Sequence, residues 1–339
     1  MKKVYAGIDL HSNNNVVVVT DEADKVAYRK RLRNELDAVL AALGPFADRL
    51  EGVVVESTYN WYWLVDGLME RGYRVHLANT GAIQQYSGLK YANDQSDARW
   101  LATLLRLDIL PEGYIYPAAE RPVRDLLRKR AHLVRQRTAN VLSIENLFAR
   151  NTGRCLSSAG VKRLTDAEVD EMLPNADLAL AVKSSLAVAR CLAGQIALLE
   201  KTVLSRMGLR EAFKILLSVD GIGPVLGLTI MLEVGDISRF PTVGDFASYV
   251  RCVGSAHISN GKKKGKGNTK NGNKYLGWAF VEAAAFAVRY NDAIGRYYQR
   301  KRAKTHLMAA KKAVAHKLAR ACYHMLRDQA VFDAGKAFG

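Results

Sequence analysis

Two short apolar runs constrain the fold most. "VYAGIDL" and "GVVVEST" are rich in β-branched and small residues and reach a carboxylate, Asp9 and Glu56. They are too short for core helices and read as buried strands. "NNVVVVTDE" and "KVAYRKRL" follow the first run and make a three-strand meander with it. "NELDAVLAAL" reads as a helix with Asn34 at its N-cap. "YWLVDGLMERG" reads as a helix closed by Gly72, and "RVHLAN" as another strand. "NDQSDARWLATLLRL" has apolar residues at Trp100, Leu101, Leu104 and Leu105, one turn apart, and reads as a helix.

A meander followed by alternating helix and strand predicts an α/β sheet of the ribonuclease H type over residues 1–117. Asp9 and Glu56 fall at or near the ends of its most buried strands. Asp94 and Asp97 lie three apart at a helix start and share a face. Carboxylates gathered this way repel one another and are usually neutralised by cations. Hard oxygen donors suit Mg²⁺ or Mn²⁺, and a pair of such ions can activate a nucleophile on a phosphodiester. Taken singly, such acids are also common at strand ends and at the positive end of a helix.

Charge divides the chain. Its 339 residues carry a net +17, but residues 1–110 sum to −1 and the remainder to +18. A strongly basic remainder points to nucleic acid. No apolar run reaches the roughly 18 residues needed to span a bilayer, Asp9 interrupts the N-terminal run too early for a signal peptide, and the four cysteines are scattered. A cytoplasmic, nucleoid-associated protein with reduced thiols and no membrane partner is expected.

Residues 118–210 predict a helical arm. In its first long helix Leu127, Val134, Val141 and Phe148 recur every seven residues, a seam that suits either an intramolecular core or a coiled-coil dimer. The other face carries Arg121, Arg124, Arg128, Lys129, Arg130, Arg135 and Arg137, read as a phosphate track with Arg128 and Arg135 among its contacts. A second long helix has its stripe at Leu192, Ile196, Leu199 and Val203.

Residues 211–339 predict a mainly helical unit. "DGIGP" between two apolar segments is a helix-hairpin-helix pattern, in which Gly221 and Gly223 permit a turn whose N–H groups can face a phosphate. "SNGKKKGKGNTKNGNK" then places Lys262, Lys263, Lys264, Lys266, Lys270 and Lys274 in sixteen residues without an acid. It reads as a mobile, solvated, backbone-gripping loop with Ser259 at its rim. Basic helical segments follow, and "FDAGKAFG" reads as a frayed tail.

"GIDLHS", "VVVEST" and "KYANDQSDARWLA" resemble the D-E-D-D motifs of RuvC-like insertion-sequence transposases, with which Piv-type DNA invertases are grouped. "FPTVGDFASYV" and its continuation resemble the C-terminal domain of the same family. The resemblance implies a catalytic metal site at Asp9, Glu56, Asp94 and Asp97. It implies a nucleophilic serine at Ser259, with Ser255 the rival if the alignment slips. Relatives often have glycine at Arg251 and proline at Gly254. It further implies DNA strand exchange through a phosphoserine link, a homodimer or higher oligomer formed through the arm, and a guide RNA transcribed from the element. Two other classes are compatible with the residues: a junction-resolving nuclease using water, and a non-catalytic nucleic-acid-binding protein.

Overall fold

The computed structural model describes residues 2–83, 93–265 and 271–339, apart from the side chains of His257 and Lys263. The chain forms two compact units, Met1–Ala118 and Ala119–Gly339.

The first unit is a five-stranded sheet of order β3-β2-β1-β4-β5. Strands β1 (Val4–Leu10), β2 (Asn14–Asp21) and β3 (Val26–Arg33) form the expected antiparallel meander. Strands β4 (Leu50–Glu56) and β5 (Val75–Ala78) continue parallel to β1. Helices α1 (Leu36–Leu43) and α2 (Tyr62–Glu70) supply residues to the core that includes Ile8, Val17, Val53, Val55, Leu64 and Leu68. Gly72 closes α2 at φ +81°. Asn34 does not cap α1: Glu35 holds that position without a side-chain cap bond. The Asn34 amide instead accepts from Asn15 and donates to the carbonyl of His11.

Helix α3 (Asp94–Arg106) crosses β1 and β2. Its approach depends on Gly7, where a Cβ would stand 1.9 Å from the carbonyl oxygen of Ala98 and 2.8 Å from the nitrogen of Ala102. Only a glycine facing two alanines lets the helix lie this close. Asn93 accepts from the Gln95 and Ser96 amides, and Ser96 Oγ accepts from the Asn93 N–H, a reciprocal cap that fixes where α3 begins.

The second unit begins with α4 (Arg121–Thr152), which pairs with α7 (Ala176–Met207). Each has 32 residues, about 48 Å of helix. Val141, Ile144 and Phe148 of α4 are buried with Val182 and Leu186 of α7 and with the short helices α5 (Ser158–Arg163) and α6 (Asp166–Met172). Near the other end Val123 and Leu127 join Val203 and Met207 in the main core of the unit. Leu127, Val141 and Phe148 of the α4 heptad seam are therefore buried within the chain, while Val134 is half-buried. Helix α7 is long and apolar enough to cross a membrane by composition; here it lies along α4.

Helices α8 (Glu211–Leu217), α9 (Pro224–Val234), α10 (Val243–Tyr249), α11 (Lys274–Tyr290), α12 (Asp292–Arg302) and α13 (Leu307–Asp328) complete the unit. The expected frayed tail is instead a short helix, α14 (Ala334–Phe338), anchored by buried Phe338 against Tyr297 at 5.4 Å. The start of the expected lysine loop is a β-hairpin, β6 (His257–Ser259) with β7 (Lys262–Gly265). Asn260 and Gly261, at φ +49° and +69°, make the two-residue turn. Asn-Gly is the dipeptide such a turn favours, and its signal outweighs the low apolar content of the strands.

Candidate active site

Parallel pairing of β1 and β4 runs to Ile8 opposite Val55, which brings the next residues, Asp9 and Glu56, side by side. The Asp9 carboxyl is almost fully buried, at 4% exposure. Burial first, then a hydrogen bond and charge repulsion from Glu56, push it up to about 7.

Helix α3 brings Asp94 over the same strand ends. Its carboxylate is held below the usual range, chiefly by a hydrogen bond from Arg31. Arg31 also donates to Asn14 Oδ1 at 2.7 Å. The register explains its presence: Asp9 is opposite Val16, and Val16 opposite Arg31, so all three share one row across the sheet. Asp97, one turn on, is pushed up by burial and by Asp94.

His11 completes the cluster. Its Nε2 lies 3.3 Å from an oxygen of Asp9 and 3.3 Å from one of Asp94. That nitrogen is buried and aligned for a hydrogen bond with neither. Among the described residues, Asp9, His11 and Asp94 place one donor atom each within 4.8 Å of one another. Glu56 adjoins this trio through Asp9, and Asp97 is coupled to it through Asp94 and His11. The backbone of His11 is clamped from two sides, its carbonyl accepting from Asn34 and Asn60 at 3.0 Å each.

Opposed carboxylates around an unsatisfied imidazole nitrogen fit a divalent cation, and the nitrogen donor suits Mn²⁺ at least as well as Mg²⁺. His11 lies within "GIDLHS", where Asp9 is the expected ligand. Its spacing from Asp9, two residues along a strand direction, is the one signal that could have found it.

Ser259 ends β6 and is exposed, opposite Lys262 across the hairpin. Lys262 and Lys264 are also exposed. Lys263 is on β7. Lys266 and Lys270 lie outside the described residues. Lys274 is not in the loop but opens α11, with Nζ 5.3 Å from the Tyr275 ring. Ser255 lies before the hairpin and is half-buried.

Helix α8 precedes the "DGIGP" turn and α9 follows it. Gly221, at φ +97°, lies against α11: a Cβ there would come 2.5 Å from the nitrogen of Ala287. Gly223 is exposed at the N-cap of α9. Asp220 in the same turn accepts from Asn291 at 2.8 Å.

The arm is less of a phosphate track than its sequence predicts. Arg121 and Arg124 are buried, Arg130 pairs with Glu200 at 2.7 Å, and Arg128 with Glu233. The acids missing from α4 are supplied by α7 and α9. Lys129 and Arg135 remain exposed.

Comparison with known proteins agrees with both units. Residues 6–150 match the family described as "Transposase", of the DEDD type of IS110, and residues 213–299 match "Transposase IS116/IS110/IS902 family". A "Probable family 20 transposase" of Pseudomonas aeruginosa is 24% identical over 344 aligned positions, covering 97% of this chain and 98% of the relative. The "Insertion element IS110 uncharacterized 43.6 kDa protein" of Streptomyces coelicolor is 28% identical over 122 positions, covering 35% of this chain and 30% of its own. The acid cluster of the first unit lies in the segment matched to the first family and the α8–α11 region in that matched to the second, and the chain is accordingly an insertion-sequence transposase of the IS110 family, an enzyme that cleaves and rejoins DNA.

Proposed function

We propose that this transposase joins itself to DNA through Ser259 while the acid cluster of the first unit handles the scissile phosphate. The observation that carries the reading is the convergence of Asp9, Glu56 and Asp94 on one set of strand ends, with the orphaned His11 nitrogen among them. Asp9, His11 and Asp94 would hold a divalent ion, with Glu56 and Asp97 available to a second. Bound metal would supply positive charge to the phosphate and to the oxygens entering and leaving it.

The protein's own residues do the rest. Ser259 Oγ attacks phosphorus and its proton passes to solvent. The Oγ–P bond forms, the P–O bond to the leaving strand breaks, and the released oxygen is protonated. The phosphoserine conserves the phosphodiester's energy, so the second strand can attack it without ATP. Lys262 and Lys264 flank Ser259 on the hairpin, where they would contact the backbone beside the cut. Lys263, Lys266 and Lys270 extend that basic stretch in sequence, and Gly221 and Gly223 would set the duplex against the α8–α9 turn.

A guide RNA and an oligomer that shares its sites rest on the family resemblance. Exposed Leu180, Val188 and Leu198 on α7 give the arm apolar surface suited to a second subunit.

Ser259→Ala is expected to abolish covalent protein–DNA product, and Asp9→Asn to abolish both cleavage and joining. Covalent product persisting in Ser259→Ala, with loss in Ser255→Ala, would move the nucleophile. Cleavage surviving Ser259→Ala without covalent product would indicate a hydrolytic nuclease. Sequencing RNA that co-purifies from cells carrying the element, and repeating recombination after ribonuclease treatment, tests the guide.

A further inference from the structure

The segment that carries Ser259 and the lysines has a closed base. At its N-terminal foot α10 ends at Tyr249, and Arg251 adopts φ +57°. At its C-terminal foot lie Asn271, Gly272 and Asn273. The Asn273 N–H donates to the Tyr249 carbonyl at 2.6 Å, and Arg251 Nε reaches the carbonyls of Asn271 and Gly272 at 3.1 and 3.0 Å. Gly272, at φ +87°, makes this possible: a Cβ there would stand 2.4 Å from the Tyr249 oxygen.

Beneath the base lies a buried carboxylate. Glu233, in the last turn of α9, is 2% exposed. Arg128 of α4 grips it through two bonds, Nε to Oε1 at 2.6 Å and Nη2 to Oε2 at 2.8 Å. Asn273 Nδ2 donates to Oε2 at 2.7 Å. The other end of that amide accepts from the Tyr275 and Leu276 N–H groups and caps α11. The Arg128 guanidinium also lies 4.8 Å from the Tyr275 ring. Both ends of the Asn273 side chain are thus fixed, one by Glu233 and one by α11.

We propose that Glu233, with Arg128 and Asn273, is a positioning residue for strand transfer. It locks the base of the Ser259 segment to the root of the arm. Arg128 then acts through Glu233, not on a phosphate. A fork-to-carboxylate pair suits this task because it fixes direction as well as distance, and three bonds converging on the buried Glu233 carboxylate resist its rotation. A shift of about 1 Å at a reacting group can cost about 10²-fold in rate. A loosened base would therefore slow chemistry without removing any group that touches DNA. The inference rests on Ser259 as nucleophile.

The test uses the full-length protein and a DNA duplex of the element end. Glu233→Gln and Asn273→Ala are measured for DNA affinity across salt, for the rate of covalent product at saturating DNA, and for amide hydrogen exchange at Tyr249–Arg251 and Asn271–Leu276. Expected are faster exchange at both feet, DNA affinity within about twofold, and a rate lowered by about 10²-fold. Arg128→Lys keeps the charge and one bond and should recover part of the rate, whereas Arg128→Ala should not. Arg128→Ala that weakens DNA binding and flattens its salt dependence, with the feet and the saturated rate unchanged, would overturn the proposal and make Arg128 a phosphate contact. Unchanged exchange at the feet in Glu233→Gln would overturn it equally. If Ser259→Ala retained covalent product, the nucleophile reading would fail on its own, while the exchange data would still report whether the lock exists.

Discussion

The acid cluster and the serine hairpin solve opposite problems. The acids are set into a sheet: Asp9 is buried, its strand is pinned under α3, and the neighbouring His11 backbone is clamped by two asparagines. The serine stands on an exposed two-stranded ribbon, and the longer segment that carries it is closed by the bond from Asn273 to Tyr249. Like charges must be forced together, and only a rigid scaffold can do that. In the proposed mechanism the serine attacks and later releases a strand, a role that needs access more than enclosure. Order is built into the sheet beneath the acids, while for the serine segment the closing bonds lie at Tyr249–Arg251 and Asn271–Asn273.

That contrast can be broken in steps. The largest effect is expected from Asp9→Asn, which should lower strand cleavage by about 10³-fold or more in a gel assay with Mg²⁺ or Mn²⁺. The same variant tests the buried acid by its pH dependence. Because Asp9 is raised from 3.8 to about 7 in the fold, its ionisation destabilises the metal-free protein as pH climbs through that window. Asp9→Asn should therefore be more stable than the parent by about 4 kcal/mol at pH 8 and close to equal at pH 4. Mn²⁺ binding to the parent should tighten as pH rises through 7, since the ion displaces the Asp9 proton. Equal stability at both pH values would show that Asp9 is not held protonated.

Next in size is Gly7→Ala. A methyl group would collide with the α3 backbone, so a loss of about 3 kcal/mol in denaturant unfolding is expected, together with loss of metal binding. Retained Mn²⁺ affinity would show that α3 can shift without disturbing the acids. Arg31→Ala sharpens the comparison in a different direction. It removes the cation that holds Asp94, so calorimetric Mn²⁺ affinity should rise even as cleavage falls. A fall in both would make Arg31 part of the scaffold. Smallest is Gly261→Ala at the ribbon tip, where φ is +69° and no atom is crowded. It should cost about 1 kcal/mol of hairpin order and leave the acid site's metal affinity untouched.

The strand and helix order of the first unit was legible because β-branched runs and one-turn apolar spacing are local signals. That Asp9, Glu56, Asp94 and Asp97 fall at or near the ends of elements was legible for the same reason. Arg31 was not, since its place beside Asp94 follows from a register spanning three strands. The fate of the arm's arginines was equally hidden, because Glu200 and Glu233 approach from elements far along the chain. Lysine content suggested a formless loop from residue 259, yet the Asn260-Gly261 pair was a hairpin signal standing in plain view. Low apolar content says that a segment cannot make a core; it does not say that a ribbon cannot form.

The contact between Gly7 and the two alanines Ala98 and Ala102 reaches into how such elements age in genomes. Those three residues belong to the same stretches, "GIDL" and "DARWLA", that carry Asp9 and Asp97. What reads as two signatures, at residues 7–10 and 97–102, is one steric fit written twice. A decaying copy can keep every acid and still be dead once a bulkier side chain enters at residue 7.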